Sequence, residues 1–209
     1  MMFWSYERIE EEAIVFLDTY HVKRTIPVPI ESIIECNLDI SIVPRKGLLQ
    51  DEQIDAFLSH DFTTIYIDQD HYMNKTNRSR FTLAHEIGHY VMHKSIVESI
   101  KTIQHWKSFI LGEGTGRAIY ESQANNFADC LLMPQPEIMV AYQELESIAL
   151  QFLKAGIKMP DQKMLISYIA TQIAKKFEVS EKAAEIRLSK IIPQCLELTA
   201  RDLCHETSI

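Results

Sequence analysis

The sequence has few residues that break or loosen a chain. Its 209 residues include only six glycines and seven prolines, too few for a linker protein or a disordered chain. No run approaches the roughly 18 apolar residues that a membrane-spanning helix needs. The longest apolar candidate, 165–174, is interrupted by polar side chains. Apolar residues make up 46% of the chain, enough for one sizeable core or for a core with a small appendage.

Positive charge is also scarce, since 21 Lys and Arg stand against 29 Asp and Glu, a formal net charge of −8. Phosphate contacts need a surplus of cations, so this composition disfavours direct nucleic-acid binding and, more weakly, an anionic membrane surface. The N-terminus has no basic region ahead of an apolar run, unlike a secretion signal. No C-x-x-C pair occurs, which is typical of reduced thiols in a cytoplasmic protein. The four cysteines are Cys36, Cys130, Cys195 and Cys204.

A small sheet is predicted in the N-terminal third. Apolar spacing predicts a helix over 6–20, and a short helix is expected at 30–36. Residues 38–43 alternate as a strand does, and 54–59 and 63–68 are β-like runs joined by a short polar stretch that favours a hairpin. We therefore expect a small antiparallel sheet.

From Arg80 onward the pattern is helical. The stretch 111–117 is interpreted as a loop, and its GEGTG lacks the Lys-Ser/Thr pair of a phosphate loop. Ser180 suits the N-cap of the last helix. The sequence thus predicts a mostly helical α+β protein, with a core domain at 1–134 and a helical C-terminal subdomain at 135–209. The expected helices are 81–94, 120–132, 136–154, 161–177 and 180–192.

The chemistry is concentrated in one H-E-x-x-H motif, His85 to His89. Two histidines four residues apart lie on one helix face about 6 Å apart along the axis, so both imidazoles can reach one metal ion. Glu86 lies about 100° around the helix, where it can accept a proton from water without binding the ion. Gly88 costs about 1 kcal/mol relative to Ala in mid-helix, which a close backbone approach would explain.

A catalytic zinc ion needs a third protein ligand. His93 continues the series, but it lies about 12 Å from His85 along a straight helix, and one helix cannot wrap three such side chains around one ion. Glu121 on the next helix is the better candidate, although a helix dipole alone would also favour an acid there. Asn125 shares its face and is placed to accept a proton from a ligand imidazole. Asp129, one turn further, is a weaker candidate for that role.

Two segments carry a resemblance to a known family. RFTLAHEIGHYVMH (80–93) and ESQANNFADCLLMP (121–134) together resemble the ImmA/IrrE metallopeptidases. The resemblance implies a zincin-like, gluzincin-type endopeptidase with one zinc ion per chain. The implied ligands are His85, His89 and Glu121, and the implied general base is Glu86. It also implies a protein substrate, typically a helix-turn-helix repressor whose cleavage relieves repression, and here expected to be a separate protein.

Substrate contacts are less determined. The oxyanion donor could be Tyr72, Arg78 or His105, and the sequence does not choose among them. An extended substrate pairs well with an exposed strand edge, and we expect the strand 63–68 to provide it. The loop 111–117 is a candidate lid.

A second hypothesis comes from another class. Two short helices joined by a tight turn near 173–192 have the shape of a helix-turn-helix. The segment 175–190 carries five basic and three acidic residues. The protein could then be a DNA-binding or metal-sensing regulator whose metal site is not proteolytic.

Overall fold

A computed structural model describes residues 4–99, 117–154 and 162–191. The described residues are mostly helical and include one small sheet, which confirms the predicted α+β class. The candidate lid is outside this part of the chain, apart from Arg117. No helix among the described residues is both long and apolar enough to cross a membrane.

Two compact units make up the chain. The first comprises Met1–Pro134 together with Phe177–Val179, and the second comprises Gln135–Lys176 and Ser180–Ile209. The candidate ligands and the sheet all belong to the first unit.

The first helix, α1 (Tyr6–Tyr20), has the bounds that its apolar spacing predicts. The Ser5 hydroxyl caps its start by accepting the Arg8 N–H at 3.3 Å. Its buried face includes Phe16, whose ring meets Phe127 edge-on with centroids 6.1 Å apart. A short helix, α2 (Ile30–Ser32), follows and continues as a π turn (Ile33–Asn37).

Three strands form the sheet: β1 (Ser41–Arg45), β2 (Ala56–Leu58) and β3 (Thr64–Asp68). Their order is β1-β3-β2, so β3 is the central strand and β2 is an edge strand. The hairpin of β2 and β3 is antiparallel, as predicted.

The prediction of a wholly antiparallel sheet is wrong for the other pair. Strand β1 runs parallel to β3, with Ser41 opposite Thr64. The chain passes from β1 through a short helix, α3 (Leu48–Glu52), into β2. The chain then turns directly from β2 into β3, and these two strands run in opposite directions. Strand β3 lies between β2 and β1 and runs in the same direction as β1. Alternation identifies a strand, but it does not specify which neighbour the strand pairs with.

Within its described residues the first unit also contains α4 (Gln69–Asn74), α5 (Thr76–Met92), α6 (Lys94–Ser99) and α7 (Arg117–Leu132). Helix α5 begins five residues before the predicted Phe81, and α7 begins three before the predicted Tyr120. The two helices α5 and α7 pack against each other, and the candidate ligands lie along this contact.

The second unit contains α8 (Gln135–Lys154), most of α9 (Gln162–Phe177) and a last helix, α10 (181–191). The predicted cap of that last helix is present, since the Ala183 N–H donates to the Ser180 hydroxyl at 3.1 Å. All three helices start within a residue or two of their predicted bounds.

Candidate metal centre

Helices α5 and α7 bring the three predicted ligands together. His85 Nε2 lies 3.2 Å from one Glu121 carboxylate oxygen, and His89 Nε2 lies 3.5 Å from the other. The two Nε2 atoms are 3.1 Å apart. One donor atom from each of these residues lies within 4.8 Å of the other two. Two imidazoles and one carboxylate, converging from adjacent helices, form a donor set that fits a zinc ion and leaves room for a further ligand.

The ionisation of Glu121 and of His85 depends on the contacts within this cluster. Burial by itself would raise the pKa of Glu121, but the contacts of its two oxygens with the His85 and His89 rings lower it well below its usual range. Burial opposes the charged form of His85, yet the hydrogen bond to Glu121 and the charge of Glu86 raise the pKa of His85 above its ordinary value. In the metal-free chain the Glu121 carboxylate is therefore ionised and attracts positive charge to the place where the three side chains meet.

The structure places Asn125 where the sequence predicts a partner for a ligand. His85 Nδ1 lies 2.9 Å from Asn125 Oδ1, so the Nδ1–H donates to the amide oxygen. This hydrogen bond engages Nδ1, so Nε2 is the ring nitrogen of His85 that faces Glu121 and would bind a metal ion. The weaker candidate, Asp129, is buried two turns beyond Glu121 and does not line the cavity beside the ligands.

His93 is not placed to complete the ligand set, as helix geometry predicts. It is 1% exposed, so it is not a surface residue, and its Nδ1 lies 2.9 Å from His89 Nδ1. Its Nε2 lies 2.9 Å from Gln123 Oε1. Burial, followed by the neighbouring His89, lowers the pKa of His93 to about 4, so its ring is neutral. Gln123 was not predicted, because nothing in its spacing from Glu121 or Asn125 distinguishes it from a core residue.

Glu86 lies beside the ligands and is attached to the sheet. It is 6% exposed, and its Oε2 accepts the backbone N–H of Leu58, on β2, at 2.9 Å. The strand next to the candidate base is therefore β2. The prediction that 63–68 supplies the exposed edge is wrong, because that strand, β3, is paired on both sides.

A cavity of about 440 Å³ opens beside these residues. Its walls are residues 53–58, which include β2, and the face of α5 that carries Arg78, Thr82 and His85. Glu86, His89, Glu121 and Asn125 also line it. The candidate base and all three candidate ligands thus face one cavity, together with the outer edge of a strand.

Only one of the three oxyanion candidates is found beside this cavity within the described residues. Arg78 lines it and donates to both oxygens of Asp55, at 2.8 and 3.1 Å. Tyr72 does not line it, and burial together with Glu31 and Glu35 raises the pKa of Tyr72. His105 is outside the described residues.

The chain was compared with models of known protein families. The family model for peptidase family M78, described as an IrrE N-terminal-like domain, matches residues 37–189. That range includes all three strands and every candidate ligand. No curated protein matches the chain.

Proposed function

The chain belongs to the IrrE N-terminal-like family of M78 peptidases, and from that premise we propose that it is a zinc-dependent endopeptidase that cleaves a regulatory protein. The peptidase function follows from the family. The observation that supports the finer proposal is that His85, His89, Glu121 and Glu86 face one cavity lined by β2, an edge strand of the sheet within the described residues.

Zinc is the proposed metal because of the donor set. His85, His89 and Glu121 would hold it, with imidazole nitrogens and a carboxylate oxygen that suit its borderline character. When bound in such a site, zinc makes water more acidic and polarises the carbonyl of the peptide to be cut.

Glu86 is the proposed general base and acid. Its carboxylate can take a proton from the attacking water and later deliver that proton to the leaving amine. One oxygen accepts the Leu58 N–H at 2.9 Å, which positions the carboxylate and leaves the other oxygen to serve the proton transfer.

The outer edge of β2 is the proposed binding site for an extended substrate. The backbone N–H of Asp68 donates to the Asp55 carbonyl at 2.8 Å, and the backbone N–H of Ser59 donates to the Thr64 carbonyl at 2.7 Å. Residues 55, 57 and 59 therefore face β3, and the backbone groups of the alternate residue Ala56 face away from it. A substrate in extended form can pair with those groups as an added strand.

Arg78 is proposed to contact the substrate away from the bond that is cut. It lies seven residues before His85 on α5, about 10 Å along the axis. That separation corresponds to about three residues of an extended chain. Arg78 and its partner Asp55 are thus placed to bind a flanking polar residue rather than the scissile carbonyl.

A helix-turn-helix repressor is the proposed substrate, as the resemblance to the ImmA/IrrE metallopeptidases implies. The test is to incubate the purified chain with the product of a neighbouring repressor gene, with added zinc and with chelator. Cleavage that needs zinc and is absent from the Glu86→Gln chain would support the proposal. If the repressor stays intact while another protein is cut, the proposed peptidase activity stands and the proposed substrate is wrong.

The alternative, a DNA-binding or metal-sensing regulator, has less support in the second unit. Lys176 is paired with Glu144 at 3.0 Å, and Lys182 lies 3.8 Å from Glu185. Arg187 is completely buried and cannot contact a phosphate. Measuring DNA affinity at several salt concentrations would test this alternative, because a phosphate-binding surface gives a steep salt dependence.

A further inference from the structure

Three buried side chains form a chain of hydrogen bonds that ends at the candidate ligand His89. Gln123 Oε1 lies 2.9 Å from His93 Nε2, and His93 Nδ1 lies 2.9 Å from His89 Nδ1. Gln123, His93 and His89 are 3%, 1% and 8% exposed. Solvent therefore has little access to these contacts, and the protein sets the positions of their hydrogens.

The contacts give the chain of hydrogen bonds a direction. An amide oxygen can only accept, so His93 Nε2 must carry a hydrogen. A neutral His93 then has a lone pair on Nδ1 and accepts a hydrogen from His89 Nδ1. His89 is left with its lone pair on Nε2, the atom that faces Glu121 and His85.

The opposite orientation of the Gln123 amide would place the hydrogens of both imidazoles on their other nitrogens and change the metal site. If the Gln123 amide nitrogen faced His93, each hydrogen would move to the other nitrogen of its ring, and His89 Nε2 would carry a hydrogen. A protonated Nε2 cannot bind a metal ion. In the structure the amide oxygen is the Gln123 atom that faces His93, and the amide nitrogen has no hydrogen-bond partner among the described residues.

We propose that Gln123 and His93 are positioning residues that hold His89 in the tautomer able to bind the metal. This proposal rests on the proposed metal site. Asn125 holds His85 directly, whereas His89 is held through a second imidazole whose far nitrogen is fixed by an amide. Both ligand histidines thus have their Nδ1–H engaged, and both direct Nε2 to the same place.

Zinc affinity of matched Gln123 variants tests the proposal, measured with a competing chelator. Gln123→Met keeps the length of the side chain and removes the acceptor, and we expect zinc affinity to fall about 10- to 100-fold, as it does when the partner of a ligand is lost. When it is ionised, the Gln123→Glu side chain has oxygens that only accept. It then keeps the hydrogen on His93 Nε2, and its zinc affinity should be close to wild type. Equal affinity of Gln123→Met and wild type would overturn the proposal, as would loss of affinity in Gln123→Glu alone.

The tautomer of His93 is an independent measurement. In the zinc-loaded wild-type chain, ¹⁵N NMR of the imidazoles should show His93 with its hydrogen on Nε2 and an unprotonated Nδ1. A hydrogen on Nδ1 of a neutral His93 would overturn the proposal. His93→Phe, which keeps a ring beside Tyr120, is the second variant and should also lose affinity while far-UV circular dichroism stays unchanged.

His89→Ala separates this inference from the proposed function. If His89→Ala binds zinc as wild type does, the proposed metal site is wrong. If His89→Ala loses zinc while Gln123→Met and His93→Phe bind it normally, the metal site stands and the positioning role is wrong.

Discussion

Gly88 of the motif helix lies directly against Ala124 of α7. A Cβ atom on Gly88 would be 3.0 Å from the Ala124 Cα, 3.2 Å from its carbonyl oxygen and 3.3 Å from the Phe127 Cβ. The backbones of the two helices can approach this closely because residue 88 has no side chain. Ala124 is adjacent to Asn125 and three residues from Glu121, so this contact sets the distance between the Glu121 carboxylate and the two imidazoles.

Gly88→Ala should therefore weaken zinc binding as well as the fold. Alanine gains about 1 kcal/mol of helix propensity, but the added methyl group meets backbone atoms that can move only with α7, at a cost of about 1–3 kcal/mol. We expect a net loss of stability in urea and lower zinc affinity by chelator competition. A Gly88→Ala chain that is more stable and binds zinc as wild type does would contradict this role of the close approach.

The sequence was sufficient to predict the convergence of ligands but not the sheet order. His85 and His89 share a face whenever their helix forms. Gly88, a glycine in the middle of that helix, predicts that the backbone of another element lies close to it. The parallel pairing of β1 with β3 depends on a long-range choice that alternation does not encode. For the same reason the expectation that 63–68 supplies the exposed edge for a substrate is wrong, since β3 is the central strand and β2 is an edge strand.

The groups that contact the candidate ligands and Glu86 also differ in how far the sequence predicts them. Asn125 was predictable, because it lies one helical turn after Glu121 and therefore on the same face. Gln123 contacts His93 only through the packing of α7 on α5, and no spacing within either helix indicates that contact. Leu58 contributes a backbone N–H to Glu86, and a backbone group leaves no mark on the sequence.

Glu86→Gln should retain zinc and lose proteolysis. The amide matches the carboxylate in shape, and its oxygen can still accept the Leu58 N–H that is now 2.9 Å from Oε2. An amide cannot take up the proton of water, so the cleavage rate should fall by about 10²- to 10⁴-fold. Elemental analysis and a cleavage assay on the same preparation measure both effects. Cleavage near the wild-type rate would remove Glu86 from the mechanism.

Zinc affinity should separate ligands from their partners. Glu121→Ala and His89→Ala each remove a donor atom, so stoichiometric zinc should be lost. Asn125→Ala removes only the acceptor for His85 Nδ1, 2.9 Å away, and we expect a loss of about 10- to 100-fold in affinity. His93→Ala should also be milder than Glu121→Ala. If His93→Ala strips the metal while Glu121→Ala retains it, the proposed ligand set is wrong.

Asp68 should make stability depend on acid pH. Its carboxylate accepts the N–H groups of Asp70 and His71 at 3.1 Å and of Leu49 at 3.0 Å. Burial alone would raise the pKa of Asp68, but these hydrogen bonds and the nearby His71 lower it below its ordinary value, which is about 3.9 in an unfolded chain.

A lowered pKa in the folded state means that Asp68 contributes stability above pH of about 4 and loses that contribution as pH falls through the folded value. Asp68→Ala should cost about 0.5–2 kcal/mol at pH 7, as loss of an N-cap does. Urea unfolding in chelator at pH 7 and at successively lower pH measures the difference from wild type. A difference that grows below pH 4 would contradict the assignment.

Ala56→Pro tests whether the substrate pairs with β2. The N–H of Ala56 faces away from β3, because the neighbouring bonds from Asp68 and Ser59 place residues 55, 57 and 59 in the ladder. Proline is tolerated at an edge position whose N–H is not used in the sheet, so the fold should persist. If that N–H binds the substrate backbone, its loss removes a hydrogen bond worth about 0.5–1.5 kcal/mol. Such a loss should raise KM by roughly 2- to 10-fold and leave kcat nearly unchanged, since the bond forms equally in the ground and transition states.

Ala56→Val, which keeps the N–H and suits a strand, is the control and should cleave with the wild-type KM. If Ala56→Pro has an unchanged KM and the same far-UV circular dichroism as wild type, the substrate does not pair with this edge.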